Sequence, residues 1–247
     1  VQKMRRTESL LFLLLVCLAG GIASLSAQGV RDATFNGQIA KGQGQGYVSA
    51  VQADGKILIG GNFTDAGGVA RSYLVRVNPV NGSIDTGFNA GGVGPNGAVV
   101  AILVLPDGKI MIGGEFTSYN GVSANYIARL NADGSRDNGF AGSGVGVAGA
   151  GGRITSIIRQ PDGKIVAAGQ RVTTYNGATS WGLFRANTDG SRDTSFTSFF
   201  GAAPGLEEVI LQPDGKIIMV GGMTGYNNVS RTGIIRMNSD GSIDNTF

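Results

Sequence analysis

Three near-identical segments carry the residue types best suited to chemistry. They are Asn131-x-Asp133-Gly134-x-x-Asp137, a copy running from Asn187 through Asp189 to Asp193, and another from Asn238 through Asp240 to Asp244. Each partly matches a calcium loop of the form Asp-x-Asp-x-Asp-Gly-x-x-Asp, and calcium takes about six to eight oxygen ligands, several of them carboxylate. Two residues upstream, where the first acid of such a loop would stand, the copies have Arg129, Arg185 and Arg236 instead. A guanidinium there repels a cation. It is also placed to pair with the last Asp of its own copy, because antiparallel strands joined by the Asp-Gly-Ser turn bring the two side by side, and an Arg–carboxylate pair can form two hydrogen bonds at once. These segments are therefore expected to be structural ties closing hairpins, with no metal and no other cofactor.

Two further sets are candidates for facing a ligand. Glu207 and Glu208 interrupt a pattern whose sister copies read Thr155-Ser156 and Val100-Ala101. Neighbours on a strand point to opposite sides, so the two cannot form a facing acid–base pair, although one of them can face a cavity. Tyr119, Tyr175 and Tyr226 occupy equivalent loops, each followed by Asn, and are expected on one rim. Rings beside amides suit sugar binding; a solvated strand end and a loop anchor are the plainer readings of the two sets. The chain has no His, which excludes Ser-His-Asp and Cys-His catalysis and His-bearing zinc sites. A carboxylate-only glycosidase using Glu115, Glu207 and Glu208 remains as the alternative to a non-enzymatic role. Nearly every Asp belongs to a turn motif, so the catalytic set is expected to be empty.

The elements that position these residues repeat along the chain. Asp-Gly-Lys begins at Asp54, Asp107, Asp162 and Asp214, and Asp-x-x-Phe ends at Phe35, Phe88, Phe140, Phe196 and Phe247. Arg-x-Asn followed by Asp-Gly-Ser starts at Arg129, Arg185 and Arg236, while the first copy, at Arg76, has one extra residue and reads Asn-Gly-Ser. In the third unit, residues 154–160 form a β-branched strand turned by Pro161-Asp162-Gly163, where Pro sets φ and Gly supplies positive φ. Residues 164–169 return, residues 181–186 form a third strand containing Trp181, and a short fourth strand ends at Phe196. No sustained 3.6-residue apolar period follows the N-terminal segment. Four short antiparallel strands per unit of about 50 residues indicate an all-β chain of propeller blades, with units at roughly 36–88, 89–140, 141–196 and 197–247. Blades bury their faces against neighbours. An open β-solenoid or a sandwich is the alternative. Five Asp-x-x-Phe segments against four Asp-Gly-Lys hairpins leave one strand surplus, so the four repeats are expected to be part of a larger ring, with further repeats following.

The string Gln-Pro-Asp-Gly-Lys, an apolar strand, Gly-Gly-x-Phe-Thr, then Arg-x-Asn-x-Asp-Gly-Ser-x-Asp-x-x-Phe resembles the delta-60 repeat from Arg31 to Phe247. Departures are local: Gln52-Ala53 stands for Gln-Pro, Val172 and Met223 for the Phe, and Ala168-Gly169 for the glycine pair. The resemblance implies a β-propeller on a secreted or surface bacterial protein and carries no defined activity with it. The glycine pairs are also similar to those of kelch propellers, but the kelch Tyr and Trp pattern is missing.

Composition and the N-terminus agree with that placement. The 43 glycines of the 247-residue chain recur at fixed positions within an apolar pattern, as tight turns between short strands do. Lys3, Arg5 and Arg6 precede an uncharged apolar run over residues 10–22, followed by Ala23-Ser24-Leu25-Ser26-Ala27. The run is shorter than the roughly 20 residues of a spanning helix and fits a signal peptide cleaved near Ala27. Residues 28–247 would then be the mature chain, without membrane insertion, its start codon being Met4 or a non-standard codon at Val1. Cys17, the one cysteine, lies inside the run behind Val16, which does not suit a lipoprotein signal, and no disulfide framework remains. The net charge of +3 falls to +1 without residues 1–27. No basic run survives, which argues against a nucleic-acid partner. The expected partner is a protein or a glycan.

Overall fold

The computed structural model describes residues 44–140, 146–196, 198 and 205–247. The expected signal peptide and the Asp32-x-x-Phe35 copy lie outside the described residues. Among those described, all regular structure is β, arranged as four repeated blades. Blade 1 consists of Gly46–Val51, Ile57–Gly61 and Leu74–Val77, and blade 2 of Val99–Val104, Ile110–Gly114 and Ile127–Leu130. Blade 3 consists of Arg153–Arg159, Ile165–Gln170 and Leu183–Ala186, and blade 4 of Leu206–Leu211, Ile217–Gly221 and Ile234–Met237. In every blade the second strand is central and both pairings are antiparallel. First strands of successive blades pack against one another, which makes them the inner strands.

The expected fourth strand is reduced to a single bridge per blade: Val77 with Ile84, Leu130 with Arg136, Ala186 with Arg192, and Met237 with Ile243. Pairing stops there because the next residue is the Asp of Asp-x-x-Phe. Asp137 accepts the Gly139 N–H at Oδ1 and the Phe140 N–H at its carbonyl, which curls the chain away from the sheet.

Both hairpin turns of the repeat obey one rule. The Gly55 N–H donates to the Gln52 carbonyl, the Lys56 N–H reaches Asp54 Oδ1 at 3.1 Å, and Gly55 has φ +83°. The Asp-Gly-Ser turn repeats this, with the Ser135 N–H and hydroxyl on Asp133 Oδ1 and Gly134 at φ +85°. A type I turn closed by a left-handed glycine is the usual three-residue hairpin solution.

Register decides which side chains face which blade. Leu58 lies opposite Arg76 and Gly60 opposite Leu74, so these four share one face; Ile57, Ile59, Val75 and Val77 share the other. The first, forward face joins blade 2 through Leu58 and Leu74 with Val99, Ile110, Ala128 and Leu130. The same relation links blade 2 to blade 3 and blade 3 to blade 4. Each fully buried Leu or Ile contributes about 1.5–3 kcal/mol, so the blades are stable mainly by mutual cover.

Every first strand carries a bulge, where its register with the second strand shifts by one residue. A glycine faces the carbonyl of the residue just before the bulged pair each time. A Cβ on Gly114 would stand 2.0 Å from the Ala98 carbonyl oxygen, and one on Gly61 would stand 1.9 Å from that of Gln45. By contrast, a Cβ on Gly222 would meet nothing nearer than 3.7 Å. Gly114→Ala is therefore expected to cost on the order of 1–3 kcal/mol, as backbone-level overpacking does, and Gly222→Ala to leave stability within ~0.5 kcal/mol. Chemical denaturation of the two variants checks this.

Candidate functional site

The Arg, the last Asp, the Lys of Asp-Gly-Lys and the Phe of Asp-x-x-Phe converge in all four blades. Asp137 Oδ2 accepts from Arg129 Nε at 2.6 Å and from Lys109 Nζ at 2.7 Å. Asp193 Oδ2 does the same with Arg185 Nε and Lys164 Nζ, both at 2.7 Å. Asp244 accepts from Arg236 Nε at 2.6 Å and Lys216 Nζ at 2.8 Å, and Asp85 takes Arg76 Nε and Lys56 Nζ, both at 3.0 Å. The extra residue in the first copy leaves the arrangement intact. Each guanidinium also lies over the Phe that ends its own motif: Arg76 on Phe88, Arg129 on Phe140, Arg185 on Phe196 and Arg236 on Phe247, at 4.7–4.9 Å. Such contacts contribute roughly 0.5–2 kcal/mol.

Burial alone would raise the Asp137 carboxyl, but the Lys109 ammonium, the Gly139 N–H and the Arg129 guanidinium outweigh it and hold it at about 2. Asp193 is held lower for the same reasons, with Ser195 added. Two protein cations thus sit on the carboxylate that would be the last ligand of a calcium loop. Among the described residues no group of three or more acidic, His or Cys side chains is placed to hold a metal ion.

The same Arg extends the tie to the next blade. Arg76 Nη1 donates to the Ala132 carbonyl at 2.7 Å, Arg129 Nη1 to that of Thr188, and Arg185 Nη1 to that of Ser239 at 2.6 Å. Gln52 and Gln160 reinforce it, each accepting from its Arg at Oε1 and donating from Nε2 to the same carbonyl. Blade 2 has Leu105 at that place and relies on Arg129 alone. Sequence reasoning found the Arg and Asp but missed the Lys, the Phe and the link between blades. The signal was available, since all of these residues recur with one period.

The three tyrosines are loop anchors, the plainer of their two readings, and the ligand-facing one is corrected. Tyr119, Tyr175 and Tyr226 are fully buried, and each donates its hydroxyl to the carbonyl of a turn glycine: Gly134 at 2.6 Å, Gly190 at 2.5 Å and Gly241 at 2.5 Å. The following Asn120, Asn176 and Asn227 sit at φ +48° to +50° in tight hairpins that fold each Tyr inward. Burial pushes the phenols well above their ordinary range. Stacked on Phe184 at 3.9 Å, Tyr175 offers no ring face to a ligand.

Glu207 and Glu208 are both exposed, because the bulge between Leu206 and Glu208 defeats strict alternation. Glu207 accepts from Gln170 Nε2 at 2.7 Å. One blade earlier, Glu115 pairs with Arg153 at 3.5 Å. These four non-repeating polar residues bridge neighbouring blades at the end of the inner hairpins opposite the Asp-Gly-Lys turns. Trp181 packs beside the core shared by blades 3 and 4.

The family model described as a domain of unknown function (DUF5122) beta-propeller matches residues 52–88, 105–140, 160–196 and 212–247. No curated protein matches the chain. Similar solved structures include the extracellular domain of a one-component system of B. thetaiotaomicron, at 13% identity and TM-score 0.45, covering 78% of this chain and 21% of that one. Another is a virginiamycin B lyase of Staphylococcus aureus, at 15% identity and TM-score 0.46, covering 82% and 58%. A third is PorZ, a surface component of the type-IX secretion system of Porphyromonas gingivalis, at 10% identity and TM-score 0.46, covering 87% and 28%. The chain thus spans between 21% and 58% of the length of these structures.

Removing Arg185, whose side chain is 6% exposed, leaves Asp193 with Lys164 and Ser195 and takes away one of the two side chains that reach the Ser239 carbonyl of blade 4. Arg185→Ala is expected to cost about 3–5 kcal/mol, as breaking a buried pair does. Millimolar calcium or EDTA should leave the wild-type melting temperature unchanged. A rise of many degrees with calcium in a thermal melt would restore the metal-loop reading.

Proposed function

The chain belongs to the DUF5122 beta-propeller family, whose model covers more than half of it, and on that premise we propose that it is a non-enzymatic, extracellular binding module for a protein or a glycan. The observation that carries this reading is how the polar residues are shared out. The repeating ones (Lys, Arg, Asp and the tyrosine hydroxyls) are spent inside and between blades. The non-repeating ones lie at one end of the inner strands, Glu115 and Glu207 exposed and Arg153 and Gln170 half-buried. A surface that differs from blade to blade on a frame that does not is what recognition of a specific partner requires.

The repeat is of the delta-60 type, and the extracellular placement rests on the basic N-terminus, the apolar run over residues 10–22 and the small residues before Gln28. Catalysis has little to work with here: Glu115 and Glu207 are each engaged with a partner from the adjacent blade, Arg153 and Gln170 respectively.

Exported protein should begin near Gln28 by mass spectrometry, and the chain should bind on a glycan array without turnover in a glycosidase panel. The triple variant Glu115→Ala, Arg153→Ala, Glu207→Ala should weaken that binding at least tenfold with an unchanged melting temperature. Absence of glycan binding assigns the partner to the proteins. Turnover of any glycoside would replace this reading with a carbohydrate-active enzyme, and a membrane-held chain starting at Met4 would refute secretion.

A further inference from the structure

The junction between blades 2 and 3 breaks the repeat at two places. Gln52, Gln160 and Gln212 follow the inner strands of blades 1, 3 and 4, and blade 2 has Leu105 there. One residue earlier, pairing with Ile57, Ile110, Ile165 and Ile217 aligns Val51, Val104, Arg159 and Leu211. Blade 3 thus carries a cation where the other blades carry an apolar side chain. Ile157, two residues before it, is buried in the core shared by blades 2 and 3. Strand alternation puts Arg159 on that same face, towards blade 2.

A cleft of about 190 Å³ opens at this junction. Leu105 and Asp107 of blade 2 wall it on one side, Gly163 and Thr188 of blade 3 on the other, and Arg129 and Arg159 line it from opposite blades. Arg129 Nη1 donates to the Thr188 carbonyl. A Cβ on Gly163 would stand 3.1 Å from Thr188 Cγ2 and 3.4 Å from Arg159 Nη2, so both guanidiniums approach the same turn. Arg129 has its carboxylate in Asp137. Arg159 has none: it is half-buried and forms no hydrogen bond or ion pair with any described residue. The acids of the bordering turns, Asp107 and Asp189, are exposed, and each holds a turn N–H at Oδ1, that of Lys109 at 3.1 Å and that of Ser191 at 2.9 Å. Solvent screens such exposed charges more than half-buried ones.

We infer that this cleft binds a small oxyanion, a phosphate or carboxylate group held between Arg129 and Arg159. Two guanidiniums that share a cleft repel each other, and an anion between them supplies acceptors for charge-assisted hydrogen bonds. The missing glutamine makes room for it. Arg76 and Arg185 each spend Nη1 twice, on the Oε1 of a glutamine and on a turn carbonyl. Opposite Leu105, Arg129 spends Nη1 on the Thr188 carbonyl alone, which leaves one of its protons for a ligand. The site lies at the Asp-Gly-Lys end of the blades, away from Glu115 and Glu207, and does not depend on binding at that other end.

Thermal melts in inorganic phosphate, in acetate and in sodium chloride at matched ionic strength, on the wild type and on Arg159→Leu, test this. Leucine is the residue of blade 4 at this position, so the variant should melt no lower than the wild type in chloride. At least one oxyanion should raise the wild-type melting temperature by several degrees over chloride, and the increment should saturate. It should vanish in Arg159→Leu. A response to phosphate alone assigns a phosphoryl group, to acetate alone a carboxylate, and to both an oxyanion of either kind. Leu105→Gln, which restores the glutamine of the other junctions, should weaken the calorimetric affinity for the responding anion at least tenfold. An increment no larger than that of chloride, or one that Arg159→Leu retains, overturns the proposal. So does an Arg159→Leu variant that melts well below the wild type in chloride, since the arginine would then be part of the frame.

Discussion

A carboxylate held between two cations, one of them lying over an aromatic ring, organises each described blade of this chain. Asp137 receives Lys109 from the first hairpin turn and Arg129 from the third strand, and Arg129 lies over the Phe140 ring. One carboxylate thereby fixes the Asp-Gly-Lys turn, the outer strand and the terminal segment to one another. Because the side chains are largely buried, the pairing is worth keeping only when complete: a lone partner in that setting would be a net cost. This accounts for the joint recurrence of four residue types that are far apart in sequence. It also explains why the fourth strand needs no ladder beyond a single bridge, since the ion pair does the holding.

The same guanidinium makes the array cumulative. By donating from Nη1 to a turn carbonyl of the following blade, Arg76, Arg129 and Arg185 convert a bond within a blade into one between blades. The apolar forward face backs it, and neither works without the next unit in place. Stability of this kind is a sum of intrinsic and nearest-neighbour contributions.

Period, turn chemistry and blade class could be read from the sequence because they rest on local rules: a Pro-Asp-Gly or Asp-Gly-Ser turn needs no tertiary context. The Arg129–Asp137 relation was also readable, since hairpin pairing fixes which residues face each other. The tyrosines could be read as loop anchors or as ligand-facing rings, and the second reading failed because a loop position suggests exposure. The Tyr-Asn-Gly hairpin instead bends the ring inward until its hydroxyl reaches a turn carbonyl 15 residues on. Glu207 and Glu208 escaped a simple alternation argument because a bulge, invisible in the pattern, lies between Leu206 and Glu208. The inter-blade bonds of the arginines depend on a neighbour about 55 residues away, and no local rule reaches that far.

The hold of two protein cations on the motif carboxylate is central to this arrangement. Its most direct test is the titration of the Asp137 carboxyl carbon by NMR, followed alongside folding stability. The account predicts a native midpoint at about 2, against an ordinary value of 3.8. Since the unfolded chain then binds the proton more readily, the stabilisation is fully present above about pH 4 and is lost as pH falls towards 2. An Asp137 midpoint at the ordinary value, with stability flat across that window, would contradict it.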